Sequence, residues 1–111
     1  MIEIKKANDL FKNEHSIKND AYVSTDKGEV LGLLEYKMKE KDLFLINLEC
    51  NENMLADGLV RQTMSFALDN GCEFCKYDDI IAKRLFELRI IQKNDQKYID
   101  ILEFFMKINH I

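Results

Sequence analysis

The chain has 111 residues, of which 47% are hydrophobic and 32% charged. That is enough for one small core and too little for two. The formal net charge of −4 argues against nucleic acid as the main partner, because tracking phosphates needs a basic stripe and the lysines here alternate with Asp and Glu. No apolar run approaches the roughly 18–20 residues that a membrane-spanning helix needs. The first ten residues lack the apolar core of a signal peptide, and three cysteines fit reduced thiols better than a disulfide framework. A single cytoplasmic domain (1–111) without a membrane partner is expected.

The segment from Ile2 to Ala7 alternates weakly and predicts a short first strand, followed by room for one short helix before Asp20. The clearest β region runs from Ala21 to Cys50, with Asp26 to Gly28 as a turn. Leu34, Tyr36 and Met38 alternate with Glu35, Lys37 and Lys39, the period-two pattern of a half-buried strand. A second strand is expected from Leu43 to Cys50.

Met54 to Asn70 predicts one long helix, with Asn51 or Asn53 as its N-cap. Leu55, Leu59, Val60, Thr63, Met64, Ala67 and Leu68 form its buried stripe, and Gly71 suits the left-handed position that ends it. Cys72 to Tyr77 predicts a strand beside the second one and parallel to it, and Asp79 to Arg89 a helix capped by Asp78 or Asp79. Segments 90–94 and 97–101 are expected to pair as a hairpin. Asp100 and Glu103 stand at capping-box spacing, which predicts a last short helix bearing Leu102, Phe105 and Ile108. The expected fold is α+β (mixed α/β): an antiparallel hairpin plus a parallel strand joined by a crossover helix, with the C-terminal helix as a lid.

Cys72 and Cys75 stand at C-x-x-C spacing. Tetrahedral zinc needs four ligands, and His15 and His110 lie in peripheral segments. Buried, inert thiols and no metal are expected.

The stretch Gly58-Leu59-Val60-Arg61 through Phe66-Ala67 and Asn70-Gly71 resembles the acetyl-CoA helix of the GNAT superfamily of acyl-CoA N-acyltransferases. That family's later pattern, Asn-x-x-Ala-x-x-x-Tyr-x-x-x-Gly-Phe, falls on Asp79, Ala82, Phe86, Ile90 and Ile91. The resemblance spans about residues 20–91. It implies a GNAT-like sheet in which two strands splay apart around the pantetheine arm of acetyl-CoA, while amides at the helix N-terminus hold the pyrophosphate. It places the cofactor on Cys50, Asn53, Met54, Leu55, Ala56 and Asp57, and a catalytic base at Glu49. Phe86 stands where the family carries a tyrosine that protonates the leaving thiolate, and Tyr77 is the nearest other phenol.

The implied activity is acetyl transfer to a primary amine on a small molecule or a protein. A GNAT-like binding module without catalysis is the alternative. Residues Asn51 to Asp57 contain none of the glycines the family uses there, Glu52 and Asp57 bracket the anion site, and neither Lys nor Arg falls between Lys41 and Arg61. Weak acetyl-CoA binding is therefore expected.

Overall fold

Two short turns build the middle of the sheet. Lys27 and Gly28 have φ of 52° and 84°, the left-handed pair that a tight hairpin demands. They join strand β2 (Asp20–Asp26) to β3 (Glu29–Lys39). Glu40, at φ 57°, starts the turn into β4 (Asp42–Glu49). The computed structural model describes residues 1–108, apart from the side chain of Ile108.

Ahead of these strands lie β1 (Ile2–Lys6), antiparallel to β2, and α1 (Asp9–Glu14), capped by Asn8, whose side chain accepts from the Phe11 amide. After them come α2 (Asn53–Asp69), β5 (Phe74–Lys76), α3 (Asp79–Glu87), β6 (Tyr98–Asp100) and α4 (Ile101–Ile108). The six strands stand in sequence order across one sheet, and only β4 and β5 run parallel. The long helix returns the chain so that β5 starts at the same end as β4, as expected.

α2 forms because its apolar residues recur at spacings of three and four. Ala56, Leu59, Val60, Thr63, Met64 and Ala67 are buried, in one cluster with Tyr22, Leu34, Tyr36 and Leu45 of the sheet. Leu55 and Leu68, expected on the stripe, are half-buried instead. Gly71, at φ 90°, ends the helix. The Cys72 amide donates to the Ala67 carbonyl at 2.9 Å and the Gly71 amide to Leu68 at 3.1 Å, the two bonds of a Schellman motif. That motif takes Cys72 out of the predicted strand, which shrinks to three residues.

The expected hairpin near the C-terminus does not form. Residues 88–97 contain no strand, and β6 pairs with β5 rather than with its own neighbour. The Tyr77 hydroxyl donates to the Gln96 carbonyl at 3.0 Å, and the Ile101 amide donates to the Glu73 carbonyl at 3.0 Å. These long-range bonds bring β6 to the open edge of β5.

The lid is present as α4, with the Glu103 amide donating to Asp100 Oδ1 at 3.1 Å. It packs against α2 through a face different from the expected one. Ile101 is fully buried, Phe104 and Phe105 are half-buried and Leu102 is exposed. The helix starts directly at the end of β6, so its first residue fills the core. The expected contact of Ile108 lies outside the described side chains. Among the described residues no helix is long and apolar enough to cross a membrane.

Candidate active-site cleft

β4 and β5 stay together for three residue pairs, ending at Phe44 with Lys76. Beyond that point β4 continues to Glu49 while β5 has already turned toward α3. β4 also carries a bulge here, because Glu35 pairs with Asn47 but Tyr36 pairs with Leu45, leaving Ile46 as the extra residue. A bulge bends the strand and re-aims its side chains. A cleft of about 380 Å³ opens between this part of β4 and α3. Ile46 and Leu48 on one side and Ile80 and Ile81 on the other supply its apolar walls, and Asn47, Asp78, Lys83, Arg84 and Glu87 its polar groups.

At the loop after β4 the cap differs from the sequence expectation. Glu52 is the N-cap of α2, and its carboxylate accepts from the Met54 amide at 3.4 Å. Asn53 is the first helical residue, and its Oδ1 accepts from Arg84 Nη1 at 2.8 Å. The Ala56 amide donates to the Glu52 carbonyl at 2.9 Å. Among the described residues the amides of Asn53 and Leu55 have no acceptor, so the helix keeps free donors where its dipole favours an anion. Ala56 is buried against the sheet and Met54 is 82% exposed. Asp57 lies a turn further on, half-buried, with its carboxylate 2.7 Å from Arg61 Nε. Of the residues placed at the cofactor by sequence, Asn53 and Leu55 keep free amides at the helix end, while the Met54 and Ala56 amides are taken by Glu52 and the Asp57 carboxylate by Arg61.

Arg84 is the residue that sequence reasoning missed. Besides Asn53, its Nη2 donates to the carbonyls of Cys50 at 2.9 Å and Asn51 at 3.4 Å, and Glu87 Oε2 lies 3.8 Å from Nη1. α3 therefore delivers a guanidinium to a loop that contains no cation of its own. The only local signal was its place four residues after Ile80 on the helix, a spacing that puts both on the cleft side. Cys50 itself turns its thiol inward, 3.5 Å from the Glu52 carbonyl. Burial pushes the Cys50 thiol up from its ordinary pKa, and the charge of Arg84 pulls partly the other way.

Glu49 is exposed, on the sheet face opposite Cys50, and its Oε1 accepts from Asn47 Nδ2 at 3.1 Å. It borders two shallow clefts. One contains Cys50, Asn51 and Arg84; the other contains Phe11, His15, Leu31 and Leu33. Phe86, the position of the family's tyrosine, is 43% exposed and does not border the main cleft. Tyr77 is held by the Gln96 carbonyl, and burial pushes its pKa up to about 12. It acts as a packing residue. Cys75 lies on β5 and Cys72 just before it. Both are free and buried, and burial raises both thiol pKa values.

No protein-family model matches this chain, and no curated protein matches it. Solved structures do. An acetyltransferase of the GNAT family from Staphylococcus aureus Mu50 is 11% identical, with 86% of this chain and 89% of that one covered, at a TM-score of 0.61. An aminoglycoside acetyltransferase from an uncultured soil metagenomic sample, in complex with sisomicin, is 16% identical over 88% and 91%, at 0.60. An aminoglycoside N-acetyltransferase in complex with CoA is 11% identical over 78% and 85%, also at 0.60. At these identities the likeness establishes the fold: a GNAT-like mixed sheet with its parallel pair joined by a helix.

Proposed function

We propose that this chain is a GNAT-type N-acetyltransferase that moves an acetyl group from acetyl-CoA to a primary amine. The observation that carries the reading is the parting of β4 from β5, which leaves a cleft of about 380 Å³ between β4 and α3, one of whose lining residues, Arg84, bonds to Asn53 at the N-terminus of α2. The residues present fit such a cofactor. Ile46, Leu48, Ile80 and Ile81 suit a thin, largely apolar arm, and Asn47 adds an amide for its polar groups. The free amides of Asn53 and Leu55, with the Arg84 guanidinium beside them, suit a pyrophosphate. Neighbouring folds named as acetyltransferases, one with CoA bound, support the reading.

Acetyl-CoA supplies the acetyl group as a thioester. Arg84 and the first-turn amides of α2 orient the phosphate end, and Cys50 holds the loop by turning its thiol into the core. Glu49, exposed and fixed by Asn47, would accept the proton that the acceptor's ammonium must lose before the neutral amine attacks the thioester carbonyl, the C–S bond breaking and CoA leaving as its thiolate. Glu52 competes with the phosphates for the helix N-terminus. The expected affinity is accordingly modest, with a dissociation constant of about 0.1 mM or weaker.

Calorimetric titration with acetyl-CoA tests the reading, with amide resonances of the Cys50–Leu59 segment reporting the location and thiol release in the presence of amines reporting transfer. No binding at millimolar acetyl-CoA would sink it and leave a GNAT-like binding module.

A further inference from the structure

We propose that the acceptor is a small amine with one positive charge and an apolar body, seated in the cleft between α1 and β3. The proposal rests on the acetyl-transfer reading and deepens it by naming the acceptor class.

The cleft holds about 220 Å³, below the roughly 300–1,000 Å³ of pockets for drug-sized ligands. A second bulge shapes it. Ser24 pairs with Gly32 but Thr25 pairs with Val30, so Leu31 is an extra residue on β3 and enters the cleft wall with Leu33. Phe11 and His15 close the other side, their rings stacked at 3.9 Å and 17°. His15 Nδ1 lies 3.0 Å from the Phe11 carbonyl. A carbonyl only accepts, so Nδ1 donates, and in the neutral ring Nε2 remains an acceptor. Apart from His15, the one ionisable group in the lining is Glu49.

One carboxylate in an apolar wall matches one ammonium. The nearest carboxylate on the same face of β3, Glu35, is already engaged by Asn19 Nδ2 at 2.6 Å. A polycation such as an aminoglycoside or a polyamine finds no second carboxylate in this lining, and its further charged groups, which stay hydrated, cannot use the apolar contacts that Phe11, Leu31 and Leu33 offer an apolar body. Leu31 and Glu49 also border the cleft that contains Arg84. An ammonium held at Glu49 therefore stands where the acceptor side meets the cofactor side.

The test titrates the intact protein, without CoA, with 2-phenylethylamine, spermidine and kanamycin while amide shifts are recorded. The expected result is saturable shifts at residues 11–15, 31–33 and 49 with 2-phenylethylamine, at least about tenfold tighter than with the two polycations. Glu49→Gln should weaken that binding about tenfold or more, whereas Glu29→Gln, a β3 carboxylate outside the cleft, should leave it unchanged. Tighter binding of spermidine or kanamycin, shifts mapping to other residues, or an unaffected Glu49→Gln variant overturns the proposal. A parallel acetyl-CoA titration separates the two readings. Acetyl-CoA binding at Cys50–Leu59 without amine binding here ends the acceptor proposal alone. Amine binding here without acetyl-CoA binding ends the acetyl-transfer reading, and with it the acceptor role, and leaves an amine-binding cleft.

Discussion

Replacing Glu52 with glutamine removes one charge from the mouth of the cleft and keeps the helix cap, because an amide oxygen can still accept from the Met54 amide. A separation of about 6 Å is taken between that carboxylate and a phosphate at the Asn53 and Leu55 amides. Two unit charges at about 6 Å and an effective dielectric of about 20 oppose each other by roughly 3 kcal/mol. At 0.15 M salt the screening length is about 8 Å, which leaves roughly 1.4 kcal/mol, or about tenfold in affinity. At about 0.01 M salt the screening length is about 30 Å, and the gain rises to roughly 2.3 kcal/mol, about fiftyfold.

Asp57 behaves differently. It lies five residues further along α2, about 7 Å by the helix rise, and is paired with Arg61 at 2.7 Å. At about 12 Å the screened effect of Asp57→Asn is roughly 0.3 kcal/mol, under twofold. The sequence treats the two carboxylates as equals, and the fold ranks them. Calorimetry of acetyl-CoA with both variants, at low and physiological salt, measures this. An unchanged affinity for Glu52→Gln at both salts, or an equal gain from Asp57→Asn, would refute the charge argument. The Glu52→Gln variant should melt within about 2 °C of the parent, which keeps the comparison free of unfolding.

Arg84→Gln should lower the melting temperature by about 6–12 °C, because the three acceptors it releases can rehydrate and the loss is about 1.5 kcal/mol; it should also weaken acetyl-CoA binding, and a variant unchanged in both would leave Arg84 without its role. Buried Cys75 and half-buried Tyr77 have pKa values raised by desolvation, Tyr77 to about 12, against ordinary values of 9.0 and 10.0. The unfolded chain therefore loses these protons first. Their stabilisation is complete below about pH 9 and is lost as pH rises toward 12, so urea midpoints should fall between pH 9 and 11, and a flat profile would contradict the burial. Truncation after Asn94 removes Ile99 and Ile101, each worth about 1.5–3 kcal/mol, from a domain whose total is about 5–15 kcal/mol; the product should not melt cooperatively, and an unchanged melt would make the tail an appendage. Gly32→Ala would put a Cβ 2.7 Å from Cys50 Sγ and 3.0 Å from Cys50 Cβ. It should cost about 1–3 kcal/mol by overpacking and shift the loop resonances, an effect that Cys50→Ala should partly relieve.

What was legible in the sequence was what local rules decide. The period of α2, the Lys27–Gly28 hairpin and the Gly71 terminus each depend on residues within one or two turns, and all three formed as expected. The strand order followed from them, since a helix between two strands of a parallel pair has few other places to go. The tail was misread where local rules compete with distant contacts. Tyr98 to Asp100 is too short to signal a partner, and β5 captures it through pairing across more than twenty residues. α4 starts at Ile101, where the Asp100–Glu103 spacing put it, but it turns Ile101 and Phe104 inward and leaves Leu102 exposed.

The site failed to show for a related reason. The loop from Cys50 to Asp57 has lost the glycines that let a backbone close on phosphate, and on local evidence it carries only negative charge. Arg84 lies 31 residues beyond Asn53 and 34 beyond Cys50, yet it bonds to both. Its three bonds cross-brace the loop with a side chain in place of glycine-rich backbone. The same guanidinium brings a positive charge to a loop that local counting had left with carboxylates only. Loop and α3 are thus tied into one structural unit: one supplies amides and a carboxylate, the other the cation. Acetyl-CoA would have to draw Arg84 from carbonyl oxygens to phosphate, exchanging neutral acceptors for charged ones. Such an exchange favours the bound state, because a hydrogen bond to an ionised acceptor is roughly twice as strong as one to a neutral acceptor.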